Sequence, residues 1–245
     1  MGKEEISPLD EYLASRETPE WHKPQIGRYH ASSLPYCLRK QYYKFAGLDT
    51  PYDARGNRAM WVGGILHRAI EEHVFPKVED QFRAIFWEKE VFWGLPEHPE
   101  ALIVGRFDAL VRDQNGELAV LDVKTCKSIS NVRKYGPSEH HIKQLTFYMG
   151  AMNVRRGLLW YVGRMNIEDK IIEVKYDDKT FRWMELQARL LHSHLTAATP
   201  PKPVPLYSWE CNYCDYKSIC PRVAADAPER VQGQAALNPR RSETN

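Results

Sequence analysis

Apolar residues recur at two different periods along this chain, and the switch between them marks out its elements. Residues 32–47 open with Ser-Ser-Leu-Pro and carry Tyr36, Leu38, Tyr42, Tyr43 and Phe45, a spacing that predicts a helix capped by Ser32 or Ser33 and ended at Gly47. Cys37 then falls near the helix start. Residues 57–75 place Met60, Ile65, Leu66, Ala69, Ile70 and Val74 three and four apart, which predicts an amphipathic helix bearing His67. The period then shortens. Residues 84–93, 102–112 and 118–125 are rich in Val, Ile, Phe and Leu, and Asn115-Gly116 between the last two is a hairpin turn signal, so three strands in a meander are expected. A helix over 140–152, strands over 157–164 and 170–176, and a long amphipathic helix over 178–198 capped by Asp177 or Asp178 complete the pattern. Four prolines, Pro200, Pro201, Pro203 and Pro205, then form a stiff spacer. Residues 1–30, rich in charge and proline, read as a loosely held arm, and residues 225–245, which lack large apolar side chains, as a mobile tail.

With 245 residues and 43% hydrophobic content the chain can bury one sizeable core, so one main domain over 31–224 is expected, with its core at about 57–198 and a cysteine segment at 206–222. Lys and Arg number 34 against 32 acids, so overall charge does not announce a nucleic-acid binder, and any such surface must come from local clusters such as Lys124, Lys127, Arg133 and Lys134. The start of the chain is polar and acidic, and no window is apolar enough to span a bilayer, so a cytoplasmic protein without membrane contact is expected. No G-x-x-x-x-G-K-[ST] motif is present, which excludes a nucleotide-driven motor of this type within the chain.

Five cysteines in a reducing compartment do not make a disulfide framework. Cys211, Cys214 and Cys220 form a C-x2-C-x5-C-P run that leaves one coordination position open, and Cys37 is the candidate for it. Four thiolates suit zinc or an iron-sulfur cluster, and either would tie the two ends of the chain together. Cys126 has no place in this set and reads as a small, buried side chain. A second constellation lies in the meander. Asp122 and Lys124, two apart on a strand, look to one face, and Asp108 on the neighbouring strand can join them. Two carboxylates are hard ligands for Mg2+ or Mn2+, and a cation beside such an ion is what phosphodiester hydrolysis requires. The remaining histidines show no ligand spacing.

Six motifs in order, Cys37-Leu-Arg-Lys-Gln-Tyr-Tyr, Gly64-Ile-Leu-His67, Gly105-Arg-Phe-Asp108, Asp122-Val-Lys124-Thr, Gln144-Leu-Thr-Phe-Tyr148 and the three C-terminal cysteines, make the chain resemble the RecB-like branch of the PD-(D/E)XK nucleases. Within it, the resemblance is to the iron-sulfur exonucleases of CRISPR adaptation and to AddB-type nuclease domains. It implies an α/β fold with a mixed central sheet flanked by helices, an N-terminal helical cap and a C-terminal cysteine segment. It also implies that His67, Asp108, Asp122 and the Val123 carbonyl hold Mg2+ or Mn2+, that Lys124 is the catalytic lysine, and that Gln144 and Tyr148 organise the site, Tyr148 as a platform for a base or a grip on a phosphate. The four cysteines are implied to hold an iron-sulfur cluster, 4Fe-4S in preference to 2Fe-2S. The implied activity is exonucleolytic cleavage of DNA that is single-stranded or has single-stranded ends, 5′ to 3′, beside an integrase-like or helicase partner. Many relatives carry Glu where this chain has Asp122. The competing reading is a non-catalytic DNA-binding or assembly subunit of a CRISPR-adaptation or recombination complex.

Overall fold

The computed structural model describes residues 7–16, 20–50, 53–78 and 81–220, so the expected tail at 225–245 lies outside the described residues. Six strands form one mixed sheet: β1 (Arg28–His30), β2 (Phe82–Leu95), β3 (His98–Asp113), β4 (Leu118–Cys126), β5 (Arg156–Gly163) and β6 (Asp169–Lys175). The helices are α1 (Pro8–Ser15), α2 (Leu38–Phe45), α3 (Ala54–Ala69), α4 (Ile129–Tyr135), α5 (Glu139–Ala151) and α6 (Asp178–Thr196). The expected meander is present, since β2 pairs antiparallel with β3 and β3 antiparallel with β4. The chain then crosses through α4 and α5 to lay β5 parallel to β4, and β6 returns antiparallel to β5. Gly116, at φ +82°, supplies the left-handed residue that the β3–β4 turn requires.

The long strand β3 shares one edge between two partners. β1 pairs parallel with residues 102–104, β4 pairs antiparallel with residues 109–112, and the four residues between them face neither strand in register. β4 continues past Leu121 with β5 as its only registered neighbour. The sheet therefore opens a gap at Gly105–Asp108.

Two apolar clusters sandwich the sheet. The larger lies beneath α5 and α6, with Phe107, Leu145, Phe147, Met149, Leu159, Met184 and Leu191 almost fully buried, and Phe147 stacks on Phe181 at 5.9 Å between centroids. The smaller one gathers Ile70, Phe75, Leu121, Val123 and Trp160 on the opposite face. Burial of apolar surface on both faces explains why β4 and β5 read as near-continuous hydrophobic runs.

Three expectations change. Residues 28–30, expected within the loose arm, are a sheet strand whose Tyr29 is 1% exposed, because the single aromatic finds a pocket under α6 that its polar neighbours do not reveal. The helix expected from Ser32 begins only at Leu38, with Cys37 as its N-cap, because Pro35 disfavours helical backbone in the residue before it. The helix expected over 57–75 is present, but no side chain of α3 is fully buried and Met60 and Ile65 stay exposed, since the helix stands over the sheet opening and only its continuation, Ile70 and Phe75, reaches the smaller cluster. α4, capped by Ser128, was not foreseen because seven residues are too few to show a period.

His140 and His141 at the start of α5 lie against Tyr36, Tyr161, Tyr207 and Trp209, and His141 Nδ1 is 2.8 Å from Tyr161 Oη. Burial, with the Lys124 charge adding to it, lowers His140 to about 4 and His141 to about 2. A depressed imidazole contributes stability that is complete above its unfolded pKa near 6.5 and is lost as the pH falls toward the folded value. The urea midpoint is expected to fall steadily between pH 6.5 and pH 4, and His141→Gln, which cannot take up the proton, is expected to flatten that slope; an unchanged slope would show that the imidazole is not held neutral.

Candidate active site

The gap in the sheet is filled by side chains from three directions. Where β4 has parted from β3, the Val123 N–H donates to Asp108 Oδ2 at 2.5 Å, so a carboxylate takes the place of a ladder carbonyl. Next to it the Arg106 N–H donates to Tyr148 Oη, which also accepts from Gln144 Nε2 at 2.7 Å. Tyr148 reaches that place only because residue 105 is glycine: a Cβ there would collide with the ring. α3 approaches from above at Gly63, where a Cβ would lie 2.9 Å from Thr125 Oγ1, and one turn later it delivers His67.

His67 Nε2 lies 2.9 Å from Asp108 Oδ2, and Nδ1 lies 3.1 Å from Glu71 Oε1. Burial works against the imidazolium, but the Asp108 hydrogen bond and the charges of Asp108, Glu71 and Asp122 outweigh it and push His67 up to about 9. Asp122 is 1% exposed, beneath the cleft floor, with Lys124 Nζ 2.7 Å from its Oδ2. Burial raises its carboxyl to about 6, which Lys124 only partly offsets and the nearby Asp108 reinforces. Glu71 is raised as well, by burial first.

These groups border one cleft of about 430 Å3, lined by His67, Asp108, Val123, Lys124, Gln144 and Tyr148 together with Trp21, Glu88 and Arg106. Every residue expected at the catalytic centre thus lies at or directly beneath one opening. Tyr148, however, is 2% exposed with its hydroxyl already bonded, so it is a strut under the cleft wall and not a stacking platform. Glu71, Glu88 and Trp21 were not singled out from the sequence. Glu71 stands at i+4 from His67, a helical spacing that could have flagged it, and the chain adopts a π-turn over Ile70–Val74 at this point, a feature that recurs at functional sites. Glu88, between Trp87 and Lys89 of β2, which pair with Ala109 and Phe107, has φ +40°, a left-handed conformation that non-glycine residues rarely keep without a constraint.

A divalent cation fits this donor set. His67, Glu71 and Asp108 each offer a ligand atom within 4.8 Å of the others; Asp122 is outside that group, its Oδ2 facing Lys124. Glu71 Oε1 and Asp122 Oδ2 are buried carboxylate oxygens without an aligned hydrogen-bond donor, although a cationic group stands near each. Such oxygens are costly to bury unless a cation satisfies them.

Cys37 and the three C-terminal cysteines belong to α2 and the segment docked on it. None is disulfide-bonded. Cys37 starts α2, Cys211 sits in a 3-10 turn over Glu210–Tyr213, and Cys214 and Cys220 follow it. The segment is docked on α2: the Cys37 N–H donates to Glu210 Oε1 at 2.5 Å, Lys40 pairs with Asp215 at 3.0 Å, and the Tyr43 and Tyr216 rings meet edge to face. Burial raises the Cys37 thiol, the Lys40 and Arg39 N–H groups pull it down, and Cys220 is close enough to raise it again. No three of the sulfurs lie within 4.8 Å of one another among the described residues. The reduced thiols of the docked segment and the helix start match the donor type a cluster uses. Cys126, at the end of β4, is partly buried rather than enclosed.

Comparison with known proteins places this geometry. Residues 44–221 match the family model described as the PD-(D/E)XK nuclease superfamily. The chain is 30% identical over 119 residues to the CRISPR-associated exonuclease Cas4 of Saccharolobus solfataricus, covering 49% of this chain and 52% of that protein, so it spans about half the length of that curated relative. The solved structure of SSO0001 overlays with a TM-score of 0.55 at 21% identity, over 87% of this chain and 91% of that one. LHK-Exo in complex with dAMP overlays at 0.52 and 16% identity, over 74% of this chain and 94% of that one. Both show the same fold. With the matching family model covering most of its length and the Asp108, Asp122 and Lys124 groups drawn to one cleft, the chain belongs to the PD-(D/E)XK nuclease superfamily.

Proposed function

We propose that this chain is a Mg2+- or Mn2+-dependent deoxyribonuclease that trims single-stranded DNA ends, 5′ to 3′, and that Cys37, Cys211, Cys214 and Cys220 hold a 4Fe-4S cluster. The observation that carries the reading is the convergence of His67, Asp108 and the buried Asp122–Lys124 pair on one cleft. His67, Asp108 and Asp122, with Glu71 added, would hold the divalent ion; when bound, it acidifies a water and neutralises phosphate charge. The rest falls to the chain. Asp122 fixes Lys124, which brings a positive charge to the cleft where the phosphodiester gains negative charge in the transition state. Asp108 holds β4 in place through Val123 and orients His67. Gln144 and Tyr148 keep the β3 backbone at Arg106 from closing the gap. Trp21 at the rim, edge-on to His30, offers an aromatic face of the kind that stacks bases in single-strand channels.

Three experiments test this reading. With single strands labelled at either end and Mn2+ present, the wild type is expected to release nucleotides from the 5′ end, while Asp122→Asn and Lys124→Ala lose about 10²-fold or more in rate; equal release by wild type and Asp122→Asn would overturn the assignment. Gly105→Ala displaces Tyr148 and is expected to cut roughly 10²-fold more slowly while retaining its circular dichroism, because small misplacements at a reacting centre cost this much. Anaerobically purified protein should be brown with broad visible absorption, and Cys214→Ser should bleach it; a colourless, zinc-loaded wild type would remove the cluster.

A further inference from the structure

A second cluster of metal-type ligands lies away from the cleft, at the start of β3. His98 and Glu100, two apart on the strand, point to the same side, and His192 meets them from α6. His192 Nε2 lies 2.9 Å from Glu100 Oε1, His98 Nδ1 lies 3.5 Å from the same oxygen, and the two imidazole centroids are 4.7 Å apart. One ligand atom from each residue falls within 4.8 Å of the other two.

We propose that His98, Glu100 and His192 form a second divalent-metal site, specific for a borderline ion such as Zn2+ and separate from the Mg2+- or Mn2+-type centre. The donors decide the ion. Two imidazoles and one carboxylate favour zinc over magnesium, which takes oxygen ligands and keeps its waters. Three protein ligands, one of them on an exposed residue, leave a fourth position for water.

The surroundings are those of a supported ligand. His192 is 3% exposed, and its Nδ1 is 2.6 Å from Tyr29 Oη, which in turn accepts from the Gly27 N–H at 3.1 Å. A second hydrogen bond on the ring nitrogen that faces away from the metal fixes the orientation of a ligating histidine. Tyr29 lies on β1, so the support links β1, β3 and α6 at one point. An ion there would pin α6, whose end leads through the proline spacer to the cysteine segment, to the start of β3.

Full-length chain treated with chelator, and with its cysteine centre intact, is to be loaded with Zn2+ alone, desalted and measured for zinc per chain and for thermal midpoint. The wild type is expected to retain one more zinc than His98→Ala and Glu100→Gln, and to gain several degrees on loading that both variants lose. Both replaced residues are partly or largely exposed, so the variants are expected to fold, and unchanged circular dichroism checks this. Asp108→Asn should retain the same extra zinc as the wild type, which separates this site from the nuclease centre. Equal zinc in wild type and His98→Ala, or an equal thermal gain, would reduce the cluster to a hydrogen-bonded ion pair and overturn the proposal.

Discussion

The parting of β4 from β3 is the constraint on which the rest depends. Past the Ala109–Leu121 pair, two neighbouring strands stop sharing a ladder, and their backbone groups need other partners. Asp108 supplies one through the Val123 N–H, and Tyr148 supplies another through the Arg106 N–H. The same side chains that repair the sheet therefore line the opening. A carboxylate used as a backbone surrogate is held in one rotamer without any ligand, and so is a tyrosine pressed under a glycine. Preorganisation here is a by-product of sheet repair, and it places His67, delivered by α3, within hydrogen-bonding reach of a fixed partner.

Electrostatics follows from the same geometry. Four acids, Glu71, Glu88, Asp108 and Asp122, face or underlie a space to which Lys124, Arg106 and His67 answer among the described residues. Asp122 is the most deeply placed, and its carboxyl rises to about 6 despite an ammonium at 2.7 Å, because burial costs a charge more than one neighbour returns. Buried carboxylates kept at this cost are poor evidence for stability and better evidence for a site that expects a further cation. The polar atoms left without aligned donors, Glu71 Oε1 and Asp122 Oδ2, belong to this group of acids.

Much of this was legible in the sequence, for identifiable reasons. A strand writes its faces in alternate residues, so Asp122 and Lys124 declared a shared face and Val123 its burial. The turn at Asn115-Gly116 set the antiparallel partner, which brought Asp108 across. What stayed hidden depends on contacts between segments distant in the chain. Tyr29 reads as one aromatic in a polar stretch until α6 closes over it, and His192 shows no ligand spacing until Tyr29 and Glu100 claim its two nitrogens. Glu71 carried a single sign, its i+4 spacing from His67, at the point where a π-turn begins. α3 carried the reverse error: its spacing is amphipathic, yet a helix that covers an opening has little sheet to pack on.

The cysteine segment and the cleft are not independent parts. Tyr36, next to Cys37, and Tyr207 and Trp209, shortly before Cys211, surround His140, with Tyr207 and Trp209 stacked at 5.4 Å. His140 and His141 open α5, and Gln144 and Tyr148 follow within two turns on the same helix. Any group that fixes the four sulfurs would fix the aromatic box, the box fixes the first turn of α5, and α5 carries the strut that holds the gap open. Loosening the cysteine segment would then be felt at Tyr148 before it was felt in the sheet, whose two apolar clusters remain packed without it. Local openings of this kind cost less than global unfolding. A chain of packed rings therefore gives the cysteine segment a physical route to the geometry of the cleft.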